Sequence, residues 1–160
     1  MNMRDICQRE LVSISAAASV QEAARAMRQN HVGALAVTDP YEPGRVVGML
    51  TDRDIVVRML AEGDSSGDRP VGALCGTELT SVRSTASVHE ALKAMRSAGV
   101  RRLLVTDDDR SIVGLVSMDD LIDAIAMQFE DLAGALRSGI ARESASPQEH
   151  RALHMARIED

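Results

Sequence analysis

The sequence predicts an α+β fold of two β-α-β-β-α repeats packed about a pseudo-twofold axis, and three observations carry that reading. The stretch from Ser19 to Asp39 returns from Ser87 to Asp107, with Ser-Val-x-Glu-Ala at its start and Val-Thr-Asp at its end. Cys7 and Glu10 recur as Cys75 and Glu78, each 68 residues on. Each repeat then closes on a Gly-led apolar phrase: Gly48-Met-Leu-Thr51-Asp-Arg-Asp54 or Gly114-Leu-Val-Ser117-Met-Asp-Asp120. Duplicated units of this kind bury their apolar faces on each other and leave paired clefts where they meet.

Taken in chain order, each repeat opens with a small turn, at Ile6-Cys7 or Leu74-Cys75, and a brief strand candidate, Leu11–Ile14 or Leu79–Val82. A capped helix follows. Val20, Ala23, Ala24 and Met27 fall on one face at helical spacing, as do Val88, Ala91, Leu92 and Met95. Ser19-x-x-Glu22 and Ser87-x-x-Glu90 are capping boxes, in which the hydroxyl takes an orphan amide and the carboxylate reaches back. Two valine-rich runs come next in each repeat, Val32–Val37 with Val46–Leu50 and Val100–Val105 with Ile112–Val116. Turn residues separate the members of each pair, so they read as antiparallel strands. Their near-continuous hydrophobicity calls for helices over one face of each sheet.

Thr51-x-x-Asp54 and Ser117-x-x-Asp120 start the closing helices as capping boxes with Asp in place of Glu. The first of these helices is expected to end near Gly63. The second carries Ile122, Ile125, Ala126, Phe129, Leu132, Ala133 and Leu136 on one stripe and is expected to end near Gly139. The organisation read from the sequence is a first repeat at 1–63, a polar linker at 64–70, a second repeat with an extended helix at 71–139, and a flexible tail at 140–160.

Composition narrows the function. The chain has 160 residues, and a repeat of about 60 is marginal alone, so the halves share a core. Tyr41 and Phe129 are the only aromatic residues, so a bound base has no aromatic platform to stack on. A net charge of −6 argues against nucleic acid as a partner. No apolar run approaches the roughly 20 residues that span a bilayer, no signal-peptide core is present, and two cysteines suit a reducing compartment, so the expected location is cytoplasmic.

The apolar-Thr/Ser-x-x-Asp phrase, placed twice at a strand-to-helix junction after a Ser-Val-x-Glu-Ala helix start, resembles the cystathionine-beta-synthase-type domain (CBS domain) in tandem. The resemblance covers roughly residues 4–60 and 72–127. It implies a regulatory module that requires no cofactor and takes AMP, ADP, ATP or S-adenosylmethionine between the repeats. It also implies a homodimer acting on a regulated protein that the sequence does not name. Carried over residue by residue, Asp54 and Asp120 take the ribose hydroxyls, and Thr51 and Ser117 contact ribose or phosphate. A carboxylate can accept two vicinal hydroxyls at once, and a helix start offers free amides to a phosphate.

Arg101 and Arg102 stand where the family directs cations at phosphate. Their counterparts in the first repeat are Gly33 and Ala34, so the two clefts are expected to be unequal. Arg53, inside the first phrase, and nearby His31 are further candidates, whereas Arg58 and Arg96 read as solvated surface charges. The family's proline after the first strand is replaced by Ser15-Ala-Ala and Arg83-Ser-Thr. Backbone groups around Ile14 and Val82 are the candidates for the adenine edge, with Met49, Leu50, Leu115 and Val116 as apolar neighbours.

Catalysis has no support in the sequence, which lacks a nucleophile elbow, a Walker lysine motif and a G-x-G-x-x-G; the lone lysine, Lys93, lies mid-helix. No metal site is assigned. Cys7 and Cys75 read as small apolar residues, and His150-x-x-x-His154 lacks a third ligand. Asp107–Asp109 reads as a solvated turn. Two further readings stand beside the sensor: a ligand-free dimerisation or protein-interaction module, and a thiol-based metal or redox sensor built on Cys7 and Cys75.

Overall fold

Serine caps and apolar stripes place the helices of both repeats where their spacing requires. A computed structural model describes residues 1–64 and 66–145. The first repeat runs α1 (Met3–Ile6), β1 (Ser13–Ser15), α2 (Val20–Asn30), β2 (Ala34–Thr38), β3 (Val46–Thr51) and α3 (Asp52–Ile55), which passes into a π-helical turn at Val56–Leu60. The second begins with a 3-10 turn at Val71–Ala73 and continues β4 (Ser81–Arg83), α4 (Val88–Ala98), β5 (Arg102–Thr106), β6 (Ile112–Ser117) and α5 (Met118–Ala145). Two compact units result, one of residues 1–120 and one beginning at Leu121, of which α5 is described to Ala145.

Each repeat builds a three-stranded sheet, in the order β1-β2-β3 or β4-β5-β6. β1 pairs parallel with β2, and β2 antiparallel with β3; β4, β5 and β6 repeat the pattern down to the irregularity at Val37/Thr38 and Val105/Thr106. The outer strands start later than the apolar runs predict, at Ser13 and Ser81 rather than Leu11 and Leu79. Leu11, Val12, Leu79 and Thr80 instead form cleft walls just ahead of the strands. Val32 also stays outside β2, because its amide closes the end of α2 on the Met27 carbonyl.

Both helix-starting boxes form reciprocally. The Ser19 amide donates to Glu22 Oε2 at 2.7 Å while the Glu22 amide donates to Ser19 Oγ at 3.2 Å. Ser87 and Glu90 repeat the exchange at 2.7 and 3.3 Å. α2 buries Val20, Ala23 and Met27; α4 buries Ala91 and Met95. The helix ends differ: Gly99 closes α4 in the left-handed conformation at φ 66°, but at the matching place His31 holds φ 54°.

The lead-in segments are exchanged between the repeats, which no periodicity foretells. α1 precedes the first repeat but bonds to the second: the Met3 amide donates to the Ala86 carbonyl and the Arg4 amide to the Ser84 carbonyl. The segment ahead of the second repeat bonds to the first, Val71 to Ala18 and Gly72 to Ala16. Val71, Leu74 and Cys75 consequently belong to the core of the first repeat, packed with Leu35, Val37 and Leu50. Each lead-in then meets a closing strand in a reciprocal backbone pair, Gln8 with Leu115 and Gly76 with Met49.

That crossing explains the glycine in each phrase. A Cβ on Gly48 would lie 2.7 Å from Cys75 Sγ and 2.8 Å from the Gly76 carbonyl oxygen. On Gly114 it would lie 2.7 Å from the Gln8 carbonyl oxygen and 2.8 Å from Cys7 Sγ. Backbone crosses the strand at these points, so no side chain fits.

The last helix corrects one expectation. It does not stop near Gly139 but runs to Ala145. Gly139 takes no positive φ, unlike Gly63 and Gly99, and Ser138 and Ser144 fold their hydroxyls back onto the Gly134 and Ile140 carbonyls. One glycine costs a helix about 1 kcal/mol, which the apolar and alanine neighbours tolerate. Residues 146–160, with the His150 and His154 pair and most of the expected tail, lie outside the described residues.

Two outcomes are expected in denaturation experiments. Gly48→Ala and Gly114→Ala should each lower stability by about 1–3 kcal/mol through overpacking at the crossing. The second concerns acid. Hydrogen bonds from Ser19 and Ser87 hold the Glu22 and Glu90 carboxyls below the usual range, and bonds from Ser84 and Arg4 do the same for Asp107. A carboxyl depressed by folding stabilises fully above its unfolded value and loses that contribution as pH falls. The midpoint should therefore hold above pH ~5 and drop below pH ~4. A Glu22→Gln, Glu90→Gln, Asp107→Asn variant, followed by urea denaturation across that range, should show a shallower drop.

Candidate functional site

The exchange decides which residues share a cleft. Two clefts among residues 1–120 contain a Thr/Ser-x-x-Asp phrase, and each takes that phrase from one repeat and its other wall from the opposite one. The first, of about 530 Å³, joins Met49, Thr51, Arg53 and Asp54 to Glu78, Leu79 and Thr80 and to Val100, Arg101 and Arg102. The second, of about 270 Å³, joins Leu115, Ser117, Asp119 and Asp120 to Gln8, Glu10, Leu11 and Val12 and to His31, Val32, Gly33 and Ala34. Arg101 and Arg102 thus stand opposite the phrase of the first repeat. Counting along the second repeat alone does not reveal this.

Each phrase is a complete cap. The Thr51 amide and hydroxyl donate to Asp54 Oδ2 at 3.0 and 2.6 Å, and the Asp54 amide returns a bond to Thr51 Oγ1 at 3.1 Å. Ser117 and Asp120 match this at 2.7, 2.6 and 3.2 Å. Capping consumes one oxygen of each carboxylate. The other oxygens differ. Asp54 Oδ1 has Arg58 Nε at 4.0 Å, whereas Asp120 Oδ1 accepts a 3.0 Å bond from the Gln8 amide.

Position by position, the cations also part company. Arg101 and Arg102 of the first cleft are matched in the second by Gly33 and Ala34, and Arg53 by the carboxylate of Asp119. Arg102 reaches far enough to line both clefts, and its guanidinium and the Asp52 carboxylate both lie beside Gly33. Glu10, Asp119 and Asp120 therefore leave the second cleft with more negative than positive charge. In the first, Arg53, Arg101 and Arg102 balance Asp52, Asp54 and Glu78. Neither cleft contains a Phe, Tyr or Trp side chain.

The structure brings eight of the ten predicted site residues to the clefts: Met49, Thr51, Arg53, Asp54, Arg101 and Arg102 to the first, Ser117, Asp120 and again Arg102 to the second. Ile14 and Val82 are not among them. Ile14 packs against the first core, and its carbonyl accepts the Thr38 hydroxyl at 3.2 Å; the Val82 carbonyl accepts that of Thr106 at 3.4 Å. Those carbonyls are thus already engaged, and the cleft edge passes to the residues just ahead of the strands. Leu50 and Val116 are fully buried behind them.

Arg58 is also corrected. It is not merely a solvated charge, because its guanidinium donates to the Leu74 carbonyl at 2.9 Å and braces the lead-in beside Asp54. Gln8, Asp119 and Glu78 are cleft residues that sequence reasoning missed. The repeat itself held the signal for Asp119, as the counterpart of Arg53.

The comparisons with known proteins agree with this fold. The CBS domain model matches residues 3–61 and 71–127. The chain belongs to the CBS-domain family. A CBS domain-containing protein of Bacillus subtilis, YhcV, is 34% identical over 143 residues, covering 89% of this chain and 97% of that protein. Hypoxic response protein 1 of Mycobacterium tuberculosis is 34% identical over 118 residues, 74% of this chain and 80% of that protein. A CBS domain protein of Pyrobaculum aerophilum, solved in complex with AMP, superposes with a TM-score of 0.67 at 28% identity, over 75% of this chain and 89% of that one. CBS domains are regulatory modules rather than enzymes.

A structure of hypoxic response protein I carries two coordinated zinc ions, at 32% identity and a TM-score of 0.65 over 77% of this chain and 98% of that one. Among the described residues of this chain, no three His, Cys, Asp or Glu side chains gather as a metal site. Cys7 lies against Gly114 and Cys75 against Gly48, and burial pushes both thiols above their ordinary range, away from the reactive thiolate. No helix among the described residues is long and apolar enough to cross a membrane.

The strained cap is directly testable. A left-handed non-glycine residue costs roughly 1–2 kcal/mol, and the matching position is Gly99. His31→Gly should therefore raise stability by about 1 kcal/mol in denaturant melts.

Proposed function

We propose that this CBS pair is a stand-alone sensor that takes one phosphate-bearing adenosine ligand, such as AMP, ADP or ATP, in the first cleft. One juxtaposition carries the reading: the Thr51/Asp54 phrase of one repeat faces Arg101 and Arg102 of the other across about 530 Å³. Asp54 Oδ1 accepts no hydrogen bond, its nearest cation being Arg58 Nε at 4.0 Å, so it has acceptor positions for the two ribose hydroxyls. Arg101, Arg102 and Arg53 supply cations for phosphate, and Met49, Leu79, Leu104 and Leu115 supply an apolar bed for the base. The AMP complex of the Pyrobaculum aerophilum protein supports the choice of ligand class. S-adenosylmethionine, with one carboxylate against a sulfonium and an ammonium, gains less from the three arginines than a phosphate does. The ligand works by binding one arrangement of the repeats better than another, and so shifts their population.

The module pairs, in this reading, with a second copy of the chain through α5. Ile122, Ile125, Phe129, Leu132 and Leu136 alternate at three- and four-residue steps, and Ile122, Phe129, Leu132 and Leu136 are more than half exposed. The first half of the exposed helix carries Asp123, Glu130 and Asp131, the second half Arg137 and Arg142 with Glu143, so the first half is acidic and the second weakly basic. An antiparallel pair of such helices sets acidic against basic halves.

Calorimetry and thermal shift test the ligand. AMP at a hundred times its dissociation constant should add about 2.7 kcal/mol of stability. Asp54→Ala and Arg101→Ala should each weaken binding at least tenfold, since charge-assisted bonds carry about 1.5–3 kcal/mol. Affinity undiminished in both variants would overturn the site. No shift with AMP, ADP, ATP or S-adenosylmethionine would favour the ligand-free interaction module. Light scattering tests the pairing: a dimer is expected, and Phe129→Glu with Leu136→Glu should yield monomers.

A further inference from the structure

The internal duplication supplies its own control for the second cleft. Gln8 and Gly76 occupy matching positions in the exchanged lead-ins, and each makes the same reciprocal backbone pair, with Leu115 or Met49. Only one has a side chain. The Gln8 amide Nε2 reaches into the second cleft and donates to Asp120 Oδ1 at 3.0 Å. Asp120 Oδ2 is already filled by the amide and hydroxyl of Ser117. A carboxylate offers about four acceptor positions. Two serve the cap and one serves Gln8, so too few remain for a pair of vicinal hydroxyls. In the first cleft Gly76 makes no such bond, and Asp54 Oδ1, with Arg58 Nε no nearer than 4.0 Å, accepts no hydrogen bond.

We infer that Gln8 is a built-in plug: its amide stands in for a ribose hydroxyl at Asp120, closes the second cleft to adenosine-type ligands, and sets the stoichiometry at one per chain. The inference rests on the proposed use of the first cleft and deepens it. Phosphate has little to gain in the second cleft, where Asp119 replaces Arg53, so the natural probe for an opened site is neutral adenosine.

The matched positions allow the plug to be removed and transplanted. Gln8→Gly copies what the other lead-in already carries at that place. The reverse, Gly76→Gln, is sterically open, because a Cβ on Gly76 meets nothing nearer than the Met49 carbonyl oxygen at 3.8 Å. Isothermal titration with adenosine and with AMP, on variants whose thermal unfolding remains cooperative, gives the reading. Gln8→Gly should bind one more adenosine per chain than wild type, and adding Asp120→Ala should abolish that extra site. Gly76→Gln should weaken AMP at least tenfold.

The outcomes separate from those of the first cleft. A wild-type chain that binds nothing, alongside a Gln8→Gly chain that binds one adenosine, would refute the first-cleft reading and uphold the plug. Equal adenosine stoichiometry before and after Gln8→Gly would overturn the plug, as would two equivalent sites in the wild type.

Discussion

The reciprocal crossing of lead-in and closing strand is the contact on which the rest of the molecule depends. Gln8 pairs with Leu115, Gly76 with Met49, and each pair forms only because a glycine two residues past the start of the strand lets backbone approach. The first core is incomplete without Val71, Leu74 and Cys75 from the opposite lead-in. Neither repeat can therefore finish folding alone, which resolves how units too small for a core of their own become stable. The same crossing delivers the wall of each cleft to the phrase of the other repeat.

Local features were legible in the sequence because they depend on near neighbours. Ser19 and Ser87 cap their helices as the four-residue boxes require, and spacing selects the buried residues Val20, Ala23 and Met27 of α2 and Ala91 and Met95 of α4, although Ala24 stays exposed and Val88 and Leu92 are only half-buried. Strand pairs, the phrase and the family resemblance came through for the same reason. The exchange did not, since nothing in Met3–Ile6 distinguishes docking on the following repeat from docking on the distant one. As a result, the placement of Arg101 in the same cleft as Asp54 was hidden although both residues were singled out. Ile14 and Val82 lie off the clefts, and threonines at the ends of the adjacent strands β2 and β5 satisfy their carbonyls. Gly139 failed as a helix stop because a glycine ends a helix only where it turns left-handed, as Gly99 does.

Duplication followed by divergence explains why two clefts of common design have unlike chemistry. The backbone frame is held in register down to the same strand irregularity, so change is confined to side chains at matched positions. Four such positions suffice to separate the clefts: Arg101 against Gly33, Arg102 against Ala34, Arg53 against Asp119, and Gly76 against Gln8. Apart from Ala34, which is buried, these positions are exposed or half-buried, so the differences between the clefts cost the shared packing little.

This asymmetry bears on how a signal would leave the module. A ligand exerts force on a conformational equilibrium only through its difference in affinity between states. The walls of each cleft come from different repeats, so whatever bridges them resists their separation. In the second cleft a bridge is present without any ligand, from the Gln8 amide to Asp120. In the first, the corresponding side chain is missing, and the remaining tie beside the phrase is the reach of Arg58 to the Leu74 carbonyl. The half that already carries its own latch has little left to gain from a bound molecule. The other half has the arginines, a carboxylate oxygen that accepts no hydrogen bond and the larger volume, and under the proposed function it is there that a bound ligand would shift the balance between arrangements of the repeats.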